Sequence, residues 1–221
     1  MDESLKIAVA LAYGYLLGAV PMSYVVGRLI KGIDLRRVGS GNVGASNMWV
    51  HVGPFWVFPI GVFDVFVKGM TPALVARALD LELDVQVGAS LLAIVGHNWP
   101  VWLKFQGGRG IAPTAGVLLS LGRLELAAIV VIVTAGWQLT KASPVWVLIG
   151  FGILPLLSLW WDRPGEAVWL MTGILAITVV KRLASNSLRS PGVSVPRMLL
   201  NRLLFDRDIA DHDAWVERNA E

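Results

Sequence analysis

Cysteine is absent from the 221 residues, which excludes disulfides, thiol nucleophiles and thiolate metal sites. Charge is scarce. Asp, Glu, Lys and Arg together make up 16% of the chain, against about 25% in an ordinary soluble domain. The net charge of +3 is too small a basic excess to indicate a nucleic-acid partner. The three histidines are scattered and no ligand cluster accompanies them, so neither a metal nor a cofactor is implied. No Gly-x-Ser-x-Gly elbow occurs. The His-x-x-x-x-Asp arrangement of one large acyltransferase group is also missing, because Trp102 stands where the Asp would be after His97.

What the chain has instead is apolar length: 55% hydrophobic residues and a mean hydropathy of +0.63. The expected fold is an all-α integral membrane protein with about seven transmembrane helices joined by glycine-rich cytoplasmic loops. The predicted spans are 6–30, 54–79, 85–103, 111–121, 124–139, 144–160 and 167–180. The first follows acidic residues and is too long for a signal-peptide core, so it is expected to be a true span. Gly14 and Gly18 within it have the small-xxx-small spacing of packed membrane helices. The fourth and fifth are short and adjacent, consistent with a tight hairpin or with a re-entrant piece and one span. Ten tryptophans suit membrane interfaces.

Basic residues set the orientation. Lys31, Arg36, Arg37, Lys104, Arg109, Lys141, Lys181, Arg182 and Arg189 fall on one side of such a topology. Lys6, Arg77, Arg123 and Arg163 fall on the other. The positive-inside rule makes the richer side cytoplasmic, and both glycine-rich loops and the C-terminus with it. Residues 1–190 are expected to form the transmembrane domain. Ser190-Pro191-Gly192 breaks the chain, and residues 191–221 read as an amphipathic cytoplasmic tail.

Two polar loops carry the chemical signal. The first is Ser40-Gly41-Asn42-Val43-Gly44-Ala45-Ser46-Asn47; the second runs from Gly96-His97-Asn98-Trp99-Pro100 through Lys104 to Gly107-Gly108-Arg109-Gly110. Residues 39–44 match G-x-G-x-x-G by letter, but they follow a membrane span rather than a strand, so a dinucleotide fold is discarded. Glycines let backbone N–H groups approach an anion, and Ser, Asn, Lys and Arg add donors. The candidate phosphate-binding residues are therefore Ser40, Gly41, Asn42, Gly44, Asn47, Gly107, Gly108 and Gly110, with Ser143, Asn186 and Arg189 on the same side. His97, Lys104 and Arg109 are the candidate catalytic residues. Asp64 and Lys68 lie one helical turn apart inside a span, either bracing helices as an ion pair or reaching a ligand.

These motifs resemble the PlsY family, membrane glycerol-3-phosphate acyltransferases that take their acyl group from acyl-phosphate. The first loop is similar to the family's first signature. Gly96–Pro100 with Phe105–Ala112 is similar to its second, and Gly18-Ala19-Val20-Pro21 matches the preceding span. The resemblance covers about residues 10–190 and implies seven spans with a cytoplasmic active site. There are departures. Arg109 stands where the family has Lys, and Val50 beside His51 where a basic residue is usual. Asp64 and Lys68 are one residue further apart than in the family. In the third signature, His-Arg-x-Asn-x-x-Arg, Leu183 and Ala184 replace the first two residues, leaving Asn186 and Arg189.

The resemblance implies acylation of the 1-hydroxyl of glycerol-3-phosphate, giving lysophosphatidate and phosphate, the first step of phospholipid synthesis. The implied partners are acyl-phosphate, glycerol-3-phosphate and membrane lipid. The substrate phosphate or His97 would take the proton from the attacking hydroxyl. Two alternatives stay open: a non-catalytic or transporter-like homologue, which the absence of internal repeats disfavours, and an acyltransferase with another acceptor.

Overall fold

A computed structural model describes residues 1–186, 193–209 and 211. Among these the regular elements are helical and no strand occurs. They are α1 (Glu3–Gly18), α2 (Met22–Lys31), α3 (Ala45–His51), α4 (Pro54–Val62), a π-helix (Phe63–Met70), α5 (Thr71–Ala78), α6 (Leu83–Asn98), α7 (Ile111–Leu121), α8 (Arg123–Thr140), α9 (Ser143–Trp160), α10 (Gly165–Leu183) and α11 (Val195–Phe205).

Four stretches are long and apolar enough to cross a bilayer: Glu3–Lys31, Pro54–Ala78, Arg123–Thr140 and Ser143–Trp160. The fourth predicted segment is short, as its sequence indicated. The eleven residues of α7 rise roughly 16 Å, about half of a hydrocarbon core. The helix then turns at Gly122 directly into α8, whose first intrahelical acceptor is the Gly122 carbonyl.

The first span is also not one continuous helix. Pro21 has no N–H to continue the ladder, and the chain breaks at Ala19-Val20-Pro21 before α2 begins at Met22. After the break, α2 leads into the first polar loop.

Close backbone packing places the helices around α6. A Cβ at Gly14 would collide with the carbonyl oxygen of Ala89, one at Gly18 with that of Ala93, and one at Gly96 with that of Tyr15. The predicted small-residue seam thus joins α1 to α6. A second seam joins the π-helix to α7, with Gly69 and Gly116 against each other.

The π-helix is a widened turn that holds the buried pair Asp64 and Lys68. The widened turn keeps both side chains inward, where Lys68 Nζ lies 2.7 Å from Asp64 Oδ1. Thr71 closes the turn, donating from Oγ1 to the Val67 carbonyl at 2.6 Å.

The main apolar core lies between α6, α7, α8, α9 and α10, around Ile94, Leu118, Leu154, Leu170 and Ile174. A smaller one, around Leu35, Met48 and Leu103, seats the first polar loop. Tail helix α11 packs on α9 and α10. The expected boundary at residue 190, and with it Arg189, lies outside the described residues.

Candidate active site

The two glycine-rich loops converge. Ser40, Asn42, Gly44 and Asn47 of the first loop line one cavity with His97, Arg109 and Gly110 of the second. Asp64 and Asp206 complete its charged wall, and its volume is about 440 Å³.

The first loop is organised by Asn47, which is 1% exposed. Its Nδ2 donates to the carbonyls of Leu35, Val38 and Asn42, and its Oδ1 accepts from the Ser40 N–H. Those bonds occupy both amide N–H groups, so Asn47 shapes the loop. This differs from its expected role as a phosphate contact. Gly41 takes φ +67°, a left-handed turn that favours glycine. Ser40 Oγ accepts from the Asn42 N–H at 3.3 Å. The Oδ1 of Asn42 is buried without a hydrogen-bond partner, a cost that a ligand donor would relieve. Behind the loop, Arg36 donates from Nη2 to Asp34 Oδ2 at 2.7 Å. That guanidinium and the Arg36 backbone N–H hold the Asp34 carboxyl below the usual carboxylate range.

The second loop folds back on the end of α6. The N–H of Gly108 donates to the His97 carbonyl at 3.0 Å and that of Gly107 to the Asn98 carbonyl at 3.2 Å. The expectation that these two N–H groups face an anion is therefore corrected, because they satisfy the open carbonyls of a helix C-terminus. The glycines serve close approach instead. A Cβ at Gly107 would strike the His97 carbonyl, and one at Gly108 the His97 ring at Nε2. Gly110, at φ +76°, caps α7. The first intrahelical bond of α7 runs from Thr114 N–H to the Gly110 carbonyl. Gly110, Ile111 and Ala112 all line the cavity, so the N-terminus of α7 presents its dipole to whatever binds there.

His97 is held on both faces. Its Nδ1 lies 3.5 Å from Lys68 Nζ and 3.8 Å from Asp64 Oδ2, while Nε2 abuts Gly108. Asp64 and Lys68 thus pair with each other and brace the histidine, and Asp64 also reaches the cavity wall. Lys104 takes a left-handed conformation at φ +53° and is exposed, away from the residues that line the cavity. Ser143 is exposed at the start of α9 and also stands apart.

Arg109 is anchored mainly through its terminal nitrogens. Its Nη1 donates to the Lys181 carbonyl at 3.0 Å, and its Nη2 contacts Ser185 Oγ and the Asp206 carbonyl, both at 3.4 Å. Its Nε lies 3.1 Å from Asp206 Oδ1 as an ion pair, outside hydrogen-bond geometry.

Sequence reasoning missed three residues here. Lys181, 1% exposed, donates to the Asn98 carbonyl at 2.6 Å and to Asn186 Oδ1 at 2.9 Å. Asn186 in turn donates from Nδ2 to the Gly107 carbonyl at 2.7 Å. Arg182 ties α10 to the tail through the Leu203 carbonyl and to α9 through that of Pro144. Lys181-Arg182 lies two residues before Leu183-Ala184, so a basic pair is present where the third signature breaks down. A pair at a span end reads as an orientation signal, which concealed it. For Asp206 the sequence carries no signal.

Beside the polar cavity lies an apolar one of about 220 Å³ between α7, α8 and α9. Ile111 and Ala115 line both.

Residues 8–190 match the family described as glycerol-3-phosphate acyltransferase. The chain is 42% identical over 214 residues to glycerol-3-phosphate acyltransferase 4 of Dehalococcoides mccartyi (strain CBDB1), covering 93% of this chain and 91% of that one. It is 31% identical to glycerol-3-phosphate acyltransferase of Prochlorococcus marinus (strain NATL2A), over 85% and 96% of the two chains. The fold is similar to the crystal structure of PlsY (YgiH), an integral membrane glycerol 3-phosphate acyltransferase, in its glycerol 3-phosphate form. The TM-score is 0.74, with 25% identity over 89% of this chain and 94% of that one. Convergent signatures, a multi-pass helical fold and similarity along most of the chain agree, and the protein belongs to the glycerol-3-phosphate acyltransferase family.

Proposed function

We propose that this chain transfers a fatty acyl group from acyl-phosphate to the 1-hydroxyl of glycerol-3-phosphate at the cytoplasmic face of the membrane. The hydroxyl oxygen attacks the acyl carbonyl, the carbon–oxygen bond to phosphate breaks, and inorganic phosphate leaves. The hydroxyl proton passes to a phosphate oxygen, with His97 as the nearby alternative acceptor.

The observation that carries this reading is the junction of two unlike cavities. The polar one offers Ser40, Asn42, Arg109 and the N-terminus of α7 to an anion; the apolar one offers a lipid-like sleeve, and Ile111 and Ala115 form the border between them. An acyl-phosphate placed across that border has its tail among α7, α8 and α9 and its head beside the donors. Because phosphate is already a good leaving group, positioning and charge stabilisation supply most of the catalysis.

Residues 1–190 act as the catalytic membrane domain in this reading, and the tail is an addition that docks on it. The seven-span, cytoplasm-facing arrangement is supported by the bias of basic residues toward the loop side.

The test is an assay of purified protein in detergent or lipid cubic phase. Acyl-phosphate, acyl-CoA and acyl-carrier protein are offered in parallel with glycerol-3-phosphate and other polyol phosphates. Phosphate release that requires both acyl-phosphate and glycerol-3-phosphate supports the reading; turnover with acyl-CoA alone as donor rejects it.

A further inference from the structure

We propose that Asp206 is a specificity-determining residue. Its carboxylate holds the place at Arg109 that a substrate phosphoryl oxygen must take, so that a dianionic phosphate displaces it and a monoanion does not. This rests on the reading of the cavity as a phosphate site.

The carboxylate is placed there by a built turn. Asp206 caps α11 in a left-handed conformation, φ +58°. On one side of the turn Arg182 Nη1 grips the Leu203 carbonyl at 2.6 Å. On the other, Arg202 pairs with Asp208 and Asn201 Nδ2 donates to the Asp208 carbonyl at 3.1 Å. Arg202 Nη1 also donates to the Leu183 carbonyl at 3.0 Å, fixing α11 to the end of α10. The turn delivers Asp206 Oδ1 to within 3.1 Å of Arg109 Nε, in the cavity that Ser40 and Asn42 also line.

Charge decides what can replace it. Arg109, Lys181 and Arg182 bring three cations to this end of the bundle. Among the described residues, Asp206 is the carboxylate ion-paired to Arg109. Being tethered, it competes at a high effective concentration. A free monoanion exchanges one charge for one charge and must overcome that tether. A phosphate monoester brings up to two charges and three acceptor oxygens, so exchange favours it. The tail then filters anions at Arg109.

Binding of glycerol-3-phosphate and of glycerate, a carboxylate monoanion of similar size, is measured by calorimetry on the full chain in detergent. The proteins are wild type, Asp206→Asn, Asp206→Ser and Asp206→Glu. Removing the charge is expected to tighten glycerate binding by about tenfold or more, and to lower the KM for glycerol-3-phosphate. Asp206→Glu is expected to keep the discrimination. No gain for glycerate in either charge-removing variant, or a fall in kcat at unchanged KM, overturns the proposal. The binding arm needs no turnover. If wild type makes no lysophosphatidate while Asp206→Asn gains glycerate, the reaction is wrong and the filter stands.

Discussion

The main chain of Gly108 lies against the imidazole of His97 so closely that a single added carbon would meet Nε2. The contact joins the end of α6 to the loop that carries Arg109, and its two flanking hydrogen bonds leave the loop no room to shift. Gly108→Val is expected to abolish turnover while the protein still inserts in the membrane. Phosphate release by membranes with matched protein content checks this, and near-normal release refutes the contact's importance.

The buried pair Asp64–Lys68, with side chains 8% and 3% exposed, gives a second prediction. Removing one partner strands a charge, at a cost of about 3–5 kcal/mol. Asp64→Leu and Lys68→Met should each lower the apparent melting temperature in detergent sharply, and the double variant should recover much of the loss. Recovery of stability without recovery of activity would assign Asp64 to the substrate as well as to the helix.

Asn47 holds four main-chain groups of the first loop. Each such bond contributes about 1 kcal/mol, so Asn47→Ala is expected to destabilise the loop by about 3 kcal/mol. Limited proteolysis within residues 34–53 should speed up well before global unfolding. Activity should fall with loop stability, and lowering the temperature should restore part of it.

Ala115 stands between the polar and apolar cavities. Ala115→Trp is expected to block the passage and cut turnover of long-chain acyl-phosphates by about tenfold or more relative to short ones. A chain-length series of donors measures the ratio; an unchanged profile places the acyl chain elsewhere.

Asp34 ties the start of the first loop to Arg36, and its carboxyl is held below the ordinary range by that guanidinium. A lowered folded pKa contributes stability above the unfolded value of about 3.9 and loses it as the pH falls through the folded value. The apparent melting temperature should therefore show an acid limb below about pH 4. In Asp34→Asn the protein should be less stable at neutral pH and its acid limb shallower.

The helices were legible where apolar runs were long. α8, α9 and α10 lie within a few residues of the predicted spans, because lipid demands continuous apolar helix and little else. The short reach of α7 was legible too, with the same bounds, but the break at Pro21 depends on how residues 19–21 pack, which composition does not report. The two signatures were legible because their glycines and polar residues have no place in a plain span. Their mechanics were less so. Whether a glycine N–H faces a ligand or a helix end depends on the fold, and at Gly107 and Gly108 the fold chose the helix end. Lys181 looked like an orientation signal until the loop at residues 98–107 covered it. Asp206 sits in a stretch whose pattern shows only an amphipathic helix, and its meaning comes from docking between distant segments.

The widened turn at Phe63–Met70 carries a wider implication. A helix in lipid cannot loop out a surplus residue, since any bared amide there would go unsatisfied. An expanded coil keeps the amides of both helix halves bonded within the segment. The expanded coil lies against the Gly69–Gly116 seam, so a larger residue at either glycine would push it away from α7.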